Sequence, residues 1–131
     1  MHRVLVPVDR NVQRATRQAE FVTAMPCAPD ELEVKVIHVN EADYEGARPR
    51  EFDDIEAATT AVEMIEDADI ECEGEMWEGN IARNILDAAE EFDADQLVMA
   101  GRDRSGVAKV LLGSVSQDVV LSTDRAVTII G

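Results

Sequence analysis

Apolar positions follow two rhythms along this chain, and the rhythms alternate. Arg3-Val4-Leu5-Val6-Pro7-Val8-Asp9 is a nearly continuous apolar run, the pattern of a strand buried on both faces of a parallel sheet. Pro7 suits only the end of such a strand, because proline donates nothing to the ladder. From Asn11 the spacing changes. Val12, Ala15, Ala19 and Val22 fall on one face of a helix, which Met25-Pro26-Cys27-Ala28-Pro29 stops. Leu32 to Val39 is a second strand, followed by a polar stretch from Asn40 to Arg50. Phe52, Ile55, Thr59, Val62 and Ile65 return to helical spacing, so a second helix is predicted from about Arg50 to Asp67. Ile70 to Trp77 alternates with acidic residues and reads as an exposed edge strand. Gly79-Asn80 caps a third helix carrying Ile81, Ile85, Ala88 and Phe92. Gln96 to Ala100 is a fourth strand, Val115 to about Leu121 a fourth helix, and Ala126 to Ile130 a fifth strand.

Five strands and four helices in strict alternation predict an α/β fold with a doubly wound, open parallel sheet and helices on both faces. Ligands of such sheets bind beyond the carboxyl ends of the strands, where strand order reverses. The first strand ends in Asp9 and the fourth in Gly101, so those two ends are the candidate crevice. No internal repeat or low-complexity tract interrupts the chain, and residues 1–131 are expected to form a single domain.

The fourth strand runs into a stretch read as a glycine-bearing polar loop, Gly101-Arg102-Asp103-Arg104-Ser105-Gly106. The last helix then starts at Ser114-Val115-Ser116-Gln117, which reads as a capping box with Ser114 at the N-cap. Strand, loop and helix start make an anion site, because free backbone N–H groups and the positive end of the helix point into the loop.

Charge sharpens the picture more than composition does. The net charge is −16 at pH 7, which argues against nucleic-acid binding, where phosphates must be neutralised by basic side chains. The acid is spread along the whole chain, as expected for a surface adapted to a salt-rich, halophilic cytoplasm, where screening shortens the reach of self-repulsion. No apolar run is long enough to span a bilayer. The N-terminus enters a strand at once, so neither membrane association nor a signal peptide is expected and a cytoplasmic location is. Cys27 and Cys72 have no partners at ligand or disulfide spacing, and Cys72 is read as a buried thiol.

With these elements placed, the chain resembles the universal stress protein family over nearly its full length. Val4-Leu5-Val6-Pro7-Val8-Asp9, Val36-Ile37-His38-Val39, Asp95-Gln96-Leu97-Val98-Met99, Gly113-Ser114-Val115-Ser116 and Ala126-Val127-Thr128-Ile129-Ile130 follow the family's pattern in the correct order. The resemblance implies strand order 3-2-1-4-5, an adenine-nucleotide α-hydrolase-like fold, and a homodimer paired through the last strand, 126–130. It also implies ATP, with Mg²⁺, in a crevice between strands one and four. On that reading Pro7, Val8, Asp9, Val39, Ala100, Gly101, Arg102, Gly113, Ser114, Val115 and Ser116 are the nucleotide-binding candidates.

ATP-binding members of the family carry Gly-x2-Gly-x9-Gly-(Ser/Thr). This chain keeps the spacing and the final Gly113-Ser114, but has Ala100 and Asp103 at the first two glycines. A carboxylate ~5 Å from a phosphate costs about 3 kcal/mol at an effective dielectric of 20, or about two orders of magnitude in affinity. Arg102 and Arg104 flank Asp103 and either offset that repulsion or form a solvated loop of local ion pairs. Asp9 either contacts metal, ribose or adenine, or closes the turn with Asn11. Val39 either lines an adenine pocket or is core. His38 is read as a satisfied core histidine, and Arg83 with Asp87 as a surface ion pair. No nucleophile–base pair, metal-ligand cluster or P-loop lysine is present, so no enzyme activity is expected. Two functions stand against each other: a dimeric nucleotide-binding stress protein, and a nucleotide-independent member of the same family acting through protein association.

Overall fold

Val4, Leu5 and Val6 are completely buried, and a strand buried on both faces belongs in the middle of a sheet. In the computed structural model that is where it lies. The structure describes residues 1–41, 51–104 and 107–131, with the backbone alone described over 102–104 and 107–111. The strands are β1 (His2–Pro7), β2 (Leu32–Asn40), β3 (Glu71–Glu78), β4 (Gln96–Ala100), β5 (Arg102–Arg104), β6 (Val107–Leu111) and β7 (Ala126–Ile130). The helices are α1 (Val12–Thr23), α2 (Glu56–Asp67), α3 (Ile81–Phe92) and α4 (Ser114–Ser122). The main sheet is parallel with order β3-β2-β1-β4-β7. This is the predicted 3-2-1-4-5 arrangement once the two hairpin strands are counted separately.

Side-chain alternation along the strands builds two cores. Val4, Val6, Val34, Val36 and Val98 pack against α1 and α2 through Ala15, Ala19, Val22, Ala57, Ala58, Ala61 and Ile65. Leu5, Ile37, Val39, Leu97 and Met99 pack against Ile85, Ala88 and Ala89 of α3 and Val119 of α4. The small alanines on the helix faces let the helices approach a sheet of β-branched residues closely. Among the described residues the acid-faced β3 is an edge strand pairing with β2 alone, as its alternation predicts.

Three local expectations are corrected. The stretch after β4 is not simply a loop: β5 and β6 pair antiparallel as a two-stranded sheet. The second helix begins at Glu56, not Arg50. A separate 3₁₀ turn over Phe52–Asp54 precedes it, closed by reciprocal capping between Glu51 and Asp54, and an extended Ile55 divides the two. These local bonds compete with helix continuation. The turn sets Phe52 over Gly74 of β3, where a Cβ would meet the ring at 2.4 Å. The cap of α4 is the third. Its N-cap is Gly113, not Ser114; Gln117 N–H bonds the Gly113 carbonyl at 3.0 Å, and no described side chain caps this end. The expected capping box is absent because the helix starts one residue earlier. The 42–50 part of the polar stretch, and Ser105 and Gly106, lie outside the described residues.

Polar bonds stitch the amino edge of the sheet. His2 Nε2 lies 2.9 Å from Gln96 Oε1, and Gln96 Nε2 donates to Thr128 Oγ1 at 2.7 Å. Arg3 N–H bonds Asp95, and Arg125 reaches the Ala94 carbonyl at 2.6 Å. A shallow depression of about 460 Å³ lies at this edge, lined by Met1, His2, Cys27, Glu31 and Asp95. Among the described residues no group of three or more His, Cys, Asp or Glu side chains is placed to hold a metal, and no helix is long and apolar enough to cross a membrane.

Candidate functional site

The opposite, carboxyl edge holds the candidate crevice. β1 and β4 are neighbours, but their ladder pairs only Val4 with Gln96 and Leu5 with Leu97. Beyond that rung β1 continues along β2 as far as Pro7–Ile37, while β4 runs with β7 to Ala100–Ile130. The connections from β1 and from β4 leave toward opposite faces of the sheet, so their ends part at the switch point.

The β1 exit is tightly held. Val8 is 6% exposed, its N–H donates to Ile37 O at 2.9 Å, and its carbonyl accepts from His38 Nδ1 at 2.9 Å. A carbonyl can only accept, so Nδ1 carries the proton. Burial lowers the His38 pKa below its ordinary 6.5; the Val8 bond opposes this, Arg10 adds to it, and Asp9 opposes it. His38 is thus the core histidine that its strand pattern predicts.

Asp9 stands two residues beyond β1 and is half exposed. Its Oδ1 accepts from Asn11 N–H at 2.8 Å and its Oδ2 from Arg14 Nη1 at 2.8 Å. Asn11 in turn caps α1 by accepting from Arg14 N–H. Of the two roles left open for Asp9, turn closure is the one its contacts show.

Val39 ends β2 at 8% exposure, within the α3-side core. Ala100 ends β4, and the buried Gly101 donates its N–H to Ile130 O at 2.7 Å. Arg102 opens β5, and its side chain, with those of Asp103 and Arg104, lies outside the described residues. α4 returns the chain from the carboxyl edge to β7, so its N-terminus lies at the crevice edge. There Gly113 and Val115 are half-buried, Ser114 is exposed and Ser116 is buried. Asn11 and Asn80 cap α1 and α3 with their side chains, whereas among the described residues neither α2 nor α4 has a side-chain cap. The first-turn N–H groups of α4 therefore retain capacity for an anion.

One residue of the site escapes the sequence reading. Gln18 sits on the buried stripe of α1 between Ala15 and Val22 at 1% exposure. Its Nε2 donates to Pro7 O at 2.7 Å and to Val98 O at 3.0 Å, joining β1 to β4 just past the end of their ladder. The signal was a lone amide on an apolar helix stripe. Cys72 is half-buried rather than fully buried; burial and the nearby Glu66 and Glu73 push its thiol up to about 12, an inert group. Arg83 and Asp87 form the expected exposed i,i+4 pair at 3.5 Å.

A doubly wound parallel sheet whose order reverses between β1 and β4 defines an open α/β protein of the class that places ligands beyond the carboxyl ends of its strands. The sequence model of the universal stress protein family matches residues 1–131, and the chain belongs to that family. It is 35% identical over 69 residues to universal stress protein Sll1388 of Synechocystis, a match covering 53% of this chain and 45% of that protein. The chain spans about half the length of the curated relatives it matches. A universal stress protein of Archaeoglobus fulgidus superposes with a TM-score of 0.76 at 30% identity, covering 100% of this chain and 99% of its own. A structure of the universal stress protein from the same organism in complex with dAMP superposes with a TM-score of 0.71 at 27% identity, covering 100% and 98%.

Proposed function

We propose that this chain binds an adenine nucleotide, ATP with Mg²⁺, in the crevice between β1 and β4, and that it serves the stress response as a binding protein rather than an enzyme. The observation that carries this reading is the start of α4, uncapped by any described side chain, at the edge where β1 and β4 part. Terminal phosphates would take the amides of Val115 and Ser116 and the Ser114 hydroxyl. Val8 and Val39 would line the base, and Pro7, Asp9, Ala100, Gly101, Arg102 and Gly113 would frame the sugar and phosphates. Arg10 and Arg14 follow β1, and Arg102 and Arg104 follow β4. Asp9 and Asp103 stand among these arginines, and Arg14 is paired with Asp9 at 2.8 Å, so in a chain of net charge −16 the cations here lessen the repulsion that a phosphate would meet. The dAMP complex of the Archaeoglobus relative supports an adenine nucleotide as the class of ligand.

The protein works, on this reading, in the cytoplasm as a homodimer joined through residues 126–130. A nucleotide-independent member is the second reading. It is favoured by Asp9, whose two carboxylate oxygens are already engaged by Asn11 and Arg14, and by Ala100 and Asp103 at the family's glycine positions.

Titration with ATP and Mg²⁺ in ~1 M KCl, where the Debye length is only about 3 Å, separates the two. A nucleotide at 100 times its Kd raises stability by about 2.7 kcal/mol, read as a melting shift and by calorimetry. No shift at millimolar ATP, with no heat of binding, overturns the nucleotide reading. If the protein purifies with nucleotide bound, the second reading fails.

A further inference from the structure

One buried side chain, Gln18, bridges β1 and β4 at the crevice. Val8 N–H bonds Ile37 on β2, and backbone groups alternate between neighbours along a parallel strand, so Pro7 faces β4. Proline has no N–H, so β1 offers β4 no donor at this position, and the ladder ends after Leu5–Leu97. The gap is bridged instead by Gln18, whose two amide hydrogens go to Pro7 O and Val98 O. Both partners are main-chain carbonyls, so the bridge constrains the backbones of the two strands directly. The β1 exit is already tied to β2 through Val8 and His38. The remaining freedom is the separation of β1 from β4, and Gln18 spans it.

Among the described residues no fully buried side-chain N or O lacks a partner. An amide buried at 1% exposure on an apolar stripe is tolerated only when its bonds are made. α1 could bury a leucine there for core packing alone; the amide adds a defined distance between two strands.

We propose that Gln18 is the positioning residue of the crevice: by spanning the Pro7 and Val98 carbonyls it sets how far apart the β1 and β4 ends stand and so preorganises the site for its nucleotide. The consequence for affinity rests on the nucleotide reading above; the consequence for geometry does not.

Gln18→Met keeps the length and removes both donors. Val22→Ala on the same stripe supplies a comparison variant that loses core stability without touching the bridge. ATP titration in ~1 M KCl should show Gln18→Met binding roughly tenfold more weakly, and Val22→Ala within about twofold of wild type. Amide exchange at Val8 and Gly101, the hydrogen-bonded amides that follow β1 and β4, should quicken in Gln18→Met and not in Val22→Ala at matched melting temperature. Equal weakening in both variants, or unchanged exchange at those amides, overturns the proposal. If Gln18→Met does not fold, Gln18→Glu, which as the neutral acid can donate only one bond, is read by the same exchange measurement. In wild type, scalar couplings across the hydrogen bonds from Gln18 Nε2 to the Pro7 and Val98 carbonyls must be present. Should wild type bind no ATP, the nucleotide reading falls, while amide exchange and the couplings still decide the role of Gln18.

Discussion

The carboxylate of Asp9 is held by its own chain neighbours, so its removal tests local structure before function. Asp9→Asn keeps the acceptor for Asn11 N–H and loses only the charge facing Arg14. That pair is half exposed and worth about 0.2–1 kcal/mol. Asp9→Ala loses the turn bond as well, and the expected loss is ~1–2 kcal/mol by chemical denaturation. An Asp9→Ala protein as stable as Asp9→Asn would show that the turn bond contributes nothing. His38 gives a pH signature. Its folded pKa lies below 6.5, because burial disfavours the imidazolium. The unfolded chain therefore binds the proton first as pH falls. The stability that neutral His38 contributes is complete above its ordinary 6.5 and is lost as pH drops through the lower folded value. Melting curves of wild type and His38→Leu in concentrated KCl should run parallel above neutrality and converge on acidification. A constant gap between them would mean that His38 does not titrate against folding.

At the scale of elements, α4 differs from α1 and α3 in how it begins. Asn80→Ala should cost ~1 kcal/mol, because the Asn80 side chain accepts from Arg83 N–H at 2.9 Å. Gly113→Asp runs the other way. The Gly113 backbone, at φ −71°, suits any residue, so aspartate should cap α4 and stabilise by a few tenths of a kcal/mol. The same carboxylate would occupy the N–H groups proposed for phosphate and weaken ATP by about tenfold or more. A Gly113→Asp protein with unaltered ATP affinity would remove α4 from the site. Much of the element plan was legible, because strands buried on two faces and amphipathic helices leave unlike periods in the chain. What escaped obeys weaker or longer-range rules. Val107–Leu111 is a strand only through its pairing with Arg102–Arg104. The start of α4 moved by one residue, and that alone abolished the capping box. The crevice ends at Asp9 and Gly101 were legible because the apolar runs of β1 and β4 give way to polar residues and glycine there, although β1 itself stops at Pro7 and β4 at Ala100. Gln18 was not, because its partner Val98 lies 80 residues away and is a backbone carbonyl, which carries no sequence signal.

The whole molecule sets its negative charge against an apolar edge strand, β7. Among the described residues β7 pairs with β4 alone, and Ile130 O accepts from Gly101 N–H, so alternation turns the N–H and C=O groups of Val127 and Ile129 outward. An open β-branched edge of this kind invites strand pairing, and the proposed homodimer uses it. Two copies at −16 each repel across that edge, with a Debye length of about 10 Å at 0.1 M salt and 3 Å at 1 M. Association should therefore rise with KCl, read by sedimentation velocity across that range. The edge is best tested through the backbone, because the Val127 side chain packs into the α3-side core and a charged substitution there would damage the fold as well. Val127→Pro removes one outward N–H while leaving the β4 ladder its donors, the placement a strand edge accepts. It should remain monomeric at both salt concentrations with the circular dichroism of wild type. A salt-induced dimer in Val127→Pro would place the contact elsewhere. A wild-type monomer in ~1 M KCl, where screening has removed most of the repulsion, would mean that β7 has no partner strand in a second copy.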